Sequence, residues 1–110
     1  MEKLNVFSCS LVLLFFTSFC QGAKQGSWCV ANWFVEDEQL WAYLVKKCKH
    51  KQVCKGNQPG MPCYDPNTNH SHASCILNNQ YKKKRNREPC PEDIGMIVHM
   101  NPSYGDCFYR

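Results

Sequence analysis

The stretch with the most chemical content is Cys63-Tyr-Asp-Pro-Asn-Thr-Asn-His-Ser-His-Ala-Ser74. A half-cystine runs straight into a turn and then into a helix start. Pro66 fixes φ, and Asn67, Thr68 and Asn69 offer short side-chain acceptors to orphan backbone N–H groups. Tyr64 is thereby held on an anchored loop beside placed polar groups. An aromatic face next to fixed amides and hydroxyls suits a sugar, whose C–H face stacks on the ring while its hydroxyls need partners. The competing reading packs Tyr64 into a small core and leaves the Asn/Thr cluster to cap a helix.

Other reactive residue types point elsewhere. Asn69-His70-Ser71 is an N-glycosylation sequon, which makes Asn69 a candidate glycan site on a surface loop. His70 and His72 have no third ligand at a fitting spacing and read as exposed cap residues, so no metal site and no cofactor is expected. Asp65, Glu92, Asp93 and Asp106 could supply acid and base to a hydrolase, but nothing in the sequence pairs them across a bond. Lys82-Lys83-Lys84-Arg85-Asn86-Arg87 is a basic run that suits a helix C-terminus. Its other reading, a nucleic-acid patch, conflicts with export, and an acidic wall polymer or a lipid headgroup is the electrostatic partner left.

Export is read from the start of the chain. Lys3 precedes an apolar run from Val6 to Phe19 and small residues at Cys20 and Gly22, the pattern of a signal peptide over 1–22. The run is shorter than the ~20 apolar residues of a membrane span. Nor does a hydrophobic tail follow Arg110, so a membrane anchor is not expected. Residues 23–110 then form one domain of a length at which a hydrophobic core alone is thin. Seven of the nine cysteines remain in it: Cys29, Cys48, Cys54, Cys63, Cys75, Cys90 and Cys107. In an oxidising compartment they read as a disulfide framework with one thiol left over, and the sequence leaves the pairing open. The chain carries a net charge of +4, too mild to demand a polyanionic partner.

These residues need elements to position them. Trp28-Cys-Val-Ala31 reads as a strand, and Trp28 beside a half-cystine as core filler. Glu36 to Cys48 is the clearest helix, with Leu40, Trp41, Leu44, Val45 and Cys48 on its apolar face and its terminal charges matched to the helix dipole. A second helix is expected from His72 to about Lys84, with a narrower apolar face. Ile94 to Met100 reads as a short strand, and Asn101 to Cys107 as a turn.

The blocks Trp28-Cys-Val-Ala31, Cys63-Tyr-x-Pro-Asn-Thr68, His72-Ala-Ser74 and Asn101-Pro-Ser-Tyr-Gly-x-Cys107, with Gln39-Leu40, Asn78, Tyr81 and the Cys48/Cys54 pair, resemble the plant X8 domain, carbohydrate-binding module family 43. The resemblance covers essentially all of residues 23–110. It implies a small disulfide-rich α+β fold, two helices packed on a short antiparallel sheet. It also implies bridges Cys29–Cys90, Cys48–Cys54 and Cys63–Cys107, with Cys75 the odd thiol, expected to be buried. Members of that family bind β-1,3-glucan, as appendages of glucanases, as lipid-anchored proteins or as small secreted proteins that include pollen allergens. This chain is similar to the last kind.

The expectation is therefore a secreted, non-enzymatic, monomeric module that binds β-1,3-glucan (callose or laminarin) in the cell wall. Tyr64, Tyr81 and Tyr104 would supply stacking faces, and Asn67, Thr68, Asn78 and Asn101 hydrogen bonds. Leu77 and Gln80 in the second helix and Pro91 to Met96 depart from the family pattern. The alternative is a degenerate interaction protein that binds a protein or an acidic wall polymer through Lys82 to Arg87.

Overall fold

The computed structural model describes residues 26–110; the expected leader over 1–22 lies outside them. The order is β1 (Trp28–Ala31), α1 (Asp37–Lys47), a 3-10 turn (Lys55–Asn57), α2 (Asn69–Tyr81) and β2 (Gly95–Val98). The two strands pair antiparallel, with Trp28 opposite Val98 and Ala31 opposite Gly95. The fold is a small disulfide-rich α+β domain. Cys29–Cys90, Cys48–Cys54 and Cys63–Cys107 are joined, the pairs the resemblance implies, and Cys75 is free and buried.

Helix α1 starts and stops where its charges place it, with Asp37 and Glu38 in the first turn and Lys46 and Lys47 in the last. Its buried face differs from the expected one. Leu40 and Leu44 are buried with Tyr43 packed beside them, whereas Trp41 and Val45 are exposed and so is Cys48. Leu40, Tyr43, Leu44 and Lys47 lie at i, i+3, i+4 and i+7, a complete helical stripe. The Lys47 ammonium ends that stripe in an ion pair with Glu88 at 3.0 Å.

Helix α2 begins three residues before the expected start, because Thr68 is its N-cap and its Oγ1 accepts the Ser71 N–H. It ends at Tyr81 and not near Lys84. This helix, expected to have the narrower apolar face, is the central element, with every residue from Ala73 to Asn78 buried. One side meets α1 and the sheet through Ile76, Leu77 and Tyr81; the other meets a second apolar cluster of Val30, Cys75, Cys107 and Tyr109.

Its contact with β1 is polar and specific. The Cys29 N–H donates to Asn78 Oδ1 and the Ala31 N–H to Ser74 Oγ. Residues 29 and 31 project their N–H groups from the strand edge that β2 does not cover. Two strand residues advance about 6.6 Å and four helical residues about 6 Å, so side chains at i and i+4 match that edge. Thus α2 satisfies an edge that would otherwise be open to pairing with another chain. At the far end of the sheet, a Cβ on Gly95 would stand 3.0 Å from Cys90 Sγ and 3.1 Å from the Pro91 carbonyl oxygen, so only glycine fits against the first disulfide.

Candidate functional site

A concavity of about 550 Å³ lies where three segments meet: the end of β1 with the turn after it, the start of α2 with the loop before it, and the chain from Val98 to Tyr104. The Cys63–Cys107 bridge ties the second segment to the third. Trp33, Thr68, Ser71, Met100, Asn101 and Tyr104 are among the residues lining it.

Trp33 was not singled out by the sequence. It stands in the turn after β1, where the Phe34 N–H donates to Asn32 Oδ1, and it is 74% exposed. Its indole stacks on the His70 ring, with centroids 3.5 Å apart and planes 17° from parallel. His70 is itself fixed, because its Nε2 is 2.9 Å from the Ala31 carbonyl oxygen. A carbonyl only accepts, so Nε2 carries the proton and donates. Burial lowers the pKa of His70, against the smaller opposing pull of that carbonyl. One face of the indole is thus backed by an imidazole while the rest stays open at the groove. The available signal was two adjacent large aromatics, Trp33 and Phe34, placed in a turn where a core residue would have no use.

Across the groove, the Tyr104 hydroxyl donates to the Asp65 carbonyl at 2.7 Å, and Ser71 Oγ lies 3.3 Å from the same hydroxyl. The ring is held at a fixed angle and is 38% exposed. Asn101 Oδ1 accepts the Ser103 N–H, which leaves the Asn101 amide N–H groups as donors. Thr68 Oγ1 accepts from Ser71, and its own O–H remains available to donate.

Of the seven residues expected to touch sugar, the groove gathers Thr68, Asn101 and Tyr104. Asn67 is exposed between two lining residues, Pro66 and Thr68, without lining the groove itself. Tyr64 is half-buried; its carbonyl accepts from His72 Nε2 at 2.7 Å and its ring lies against that imidazole. Asn78 and Tyr81 do not reach the groove. Asn78 is 1% exposed and occupied by the Cys29 N–H and the Arg110 carbonyl, and Tyr81 is a core residue whose hydroxyl meets Ser27. His70 and His72, expected as exposed caps, instead anchor loops through carbonyls and are half-buried. Trp28 is partly buried, its Nε1–H donating to the Tyr109 carbonyl. At the sequon, Asn69 Nδ2 donates to Asp37 Oδ2 at 2.9 Å. Among the described residues no cluster of three His, Cys, Asp or Glu side chains is poised to hold a metal, and no helix is long and apolar enough to cross a membrane.

The family model of the X8 domain matches residues 27–92. The chain belongs to the X8 domain family. It is 37% identical over 84 residues to a glucan endo-1,3-beta-D-glucosidase of Olea europaea, a match that covers 74% of this chain and 18% of that protein. It is 35% identical over 85 residues to glucan endo-1,3-beta-glucosidase 7 of Arabidopsis thaliana, covering 74% of this chain and 17% of the other. The chain therefore spans less than a fifth of the glucosidases it matches. With the major pollen allergen Ole e 10 of Olea europaea it shares 34% identity over 92 residues, 81% of this chain and 73% of the allergen. No solved structure matches.

Proposed function

We propose that this X8 domain is a secreted, non-catalytic, monomeric module that binds β-1,3-glucan in the cell wall through the groove between Trp33 and Tyr104. The observation that carries the reading is the pairing of two fixed, exposed aromatic rings with hydroxyl and amide groups in one concavity. Sugar rings stack on such faces, and each stacking contact is worth about 1 kcal/mol beyond area burial. Thr68 and Asn101 would donate to ring hydroxyls. The matches to glucan endo-1,3-beta-glucosidases favour a β-1,3-linked ligand.

Binding is preferred to hydrolysis because the residues lining the groove include no Asp or Glu, and a glycosidase needs two carboxyls flanking the bond. Residues 1–22 would be removed on export. A glycan on Asn69 would replace its bond to Asp37 and stand beside the groove residues His70 and Ser71.

Retention on insoluble β-1,3-glucan, with cellulose as control, tests the reading. Trp33→Ala should weaken laminarin binding roughly fivefold to tenfold, the equivalent of one stacking contact. Equal retention by parent and variant would remove Trp33 from the site. Failure of the parent to bind laminarin, or release of reducing sugar from it, would overturn the function.

A further inference from the structure

Of the 13 Lys and Arg residues, Lys3 and Lys24 lie outside the described residues, and the other eleven all fall in 46–55, in 82–87 or at Arg110. These segments converge. The Cys48–Cys54 bridge folds residues 48–54 back on the end of α1, and Lys47 pairs with Glu88 beyond the basic run. Two clefts cross the assembled surface. One is lined by Lys51, Gln52, Lys55 and Gln58, the other by Gln52, Asn79, Lys83 and Arg110, so they meet at Gln52 as one trough. Its four cations are exposed and make no ion pair among the described residues.

The trough and the groove share no lining residue: Asn79 and Lys83 place one end of the trough at the C-terminal end of α2, Lys55 and Gln58 at its other end flank Asn57, whose Nδ2 donates to the His72 carbonyl, and Thr68, His70, Ser71 and Ser74 carry the groove. Glu36, Asp37 and Glu38 lead into α1, and Asp65 and Asp106 adjoin the Tyr104 turn, away from the cations.

We infer that this trough binds an acidic polysaccharide, a polyuronate, independently of the groove. Charge would draw the carboxylates to Lys51, Lys55, Lys83 and Arg110, and the Gln52 amide would meet hydroxyls of the same chain together with the amide oxygens of Gln58 and Asn79, whose nitrogens donate to the Cys54 carbonyl and to Cys75 Sγ. A nucleic acid would want aromatic faces for its bases, and a lipid surface an apolar rim; the trough has neither, Val53 being its one aliphatic side chain.

The test titrates the full chain with polygalacturonate, its methyl ester and laminarin, at two salt concentrations. Polygalacturonate binding should fall roughly tenfold from about 0.05 M to about 0.2 M salt, and laminarin binding should hold constant. Lys51→Gln/Lys55→Gln/Lys83→Gln should weaken polygalacturonate about tenfold and leave laminarin unchanged. The single exposed change Lys83→Glu should act in the same direction, should the triple variant fold poorly. Equal affinity for the methyl ester, unchanged binding by both variants, or tighter binding to anionic phospholipid vesicles or to RNA would overturn the inference. Loss of laminarin binding alone would strike only the groove.

Discussion

At the scale of single residues, the groove depends on how Trp33 is backed. The neutral His70 ring donates to Ala31 and stacks under the indole, and burial makes its protonation harder in the folded chain than in the unfolded one. The unfolded state then binds the proton more readily, so this contribution to stability is complete above the ordinary histidine pKa of about 6.5 and is lost as pH falls below it. Acidification below that point should lower the melting temperature of the parent more than that of His70→Gln, so the advantage of the parent should be greatest at neutral pH and shrink in acid. Parallel melting curves across the range would show that His70 is not the titrating group. The free thiol obeys the same physics: burial raises the pKa of Cys75, and the thiol should react with iodoacetamide only on unfolding.

At the scale of elements, the contact between α2 and β1 decides the fold and removes a residue from the site. Asn78 satisfies the buried Cys29 N–H, so Asn78→Ala should cost about 1–3 kcal/mol and lower the denaturation midpoint. The folded fraction should still bind laminarin with parental affinity. Loss of laminarin binding without loss of stability would return Asn78 to the sugar site. The apolar stripe of α1 carries the complementary lesson: Leu40 and Leu44 were legible, but Trp41 and Val45 extend the pattern as well as Tyr43 and Lys47 do, and only the position of α2 chooses between them.

For the molecule as a whole, three bridges replace much of the core that so short a chain lacks. They are not equivalent. Cys63–Cys107 closes a separation of 44 residues and joins two walls of the groove, whereas Cys48–Cys54 closes one of 6 residues at the basic end. Loop closure makes the longer link the more stabilising, by about 2 kcal/mol. Cys63→Ala/Cys107→Ala should lose both stability and laminarin binding, and Cys48→Ala/Cys54→Ala should lose less stability and keep the binding. Denaturation curves paired with laminarin titrations separate the two, and an equal effect of both pairs on binding would detach the groove from the Cys63–Cys107 link.

The sequence by itself determined what local chemistry and covalent anchors specify. Periodicity and terminal charges placed α1, and α2 only to within about three residues at each end, a strand of β-prone residues beside Cys29 gave β1, and the blocks around Cys63 and Cys107 gave the family and the pairing it implies. Only the tertiary structure decided which polar residues face the groove. Asn78 and Asn101 are the same residue type in equally suggestive settings, yet one is consumed by a strand edge and the other opens on the groove. Hydrogen-bond partners distant along the chain are invisible to any local pattern. The same holds for Trp33, which stacks on an imidazole 37 residues away, and for Lys51, Lys55, Lys83 and Arg110, which line adjoining clefts from three separate segments.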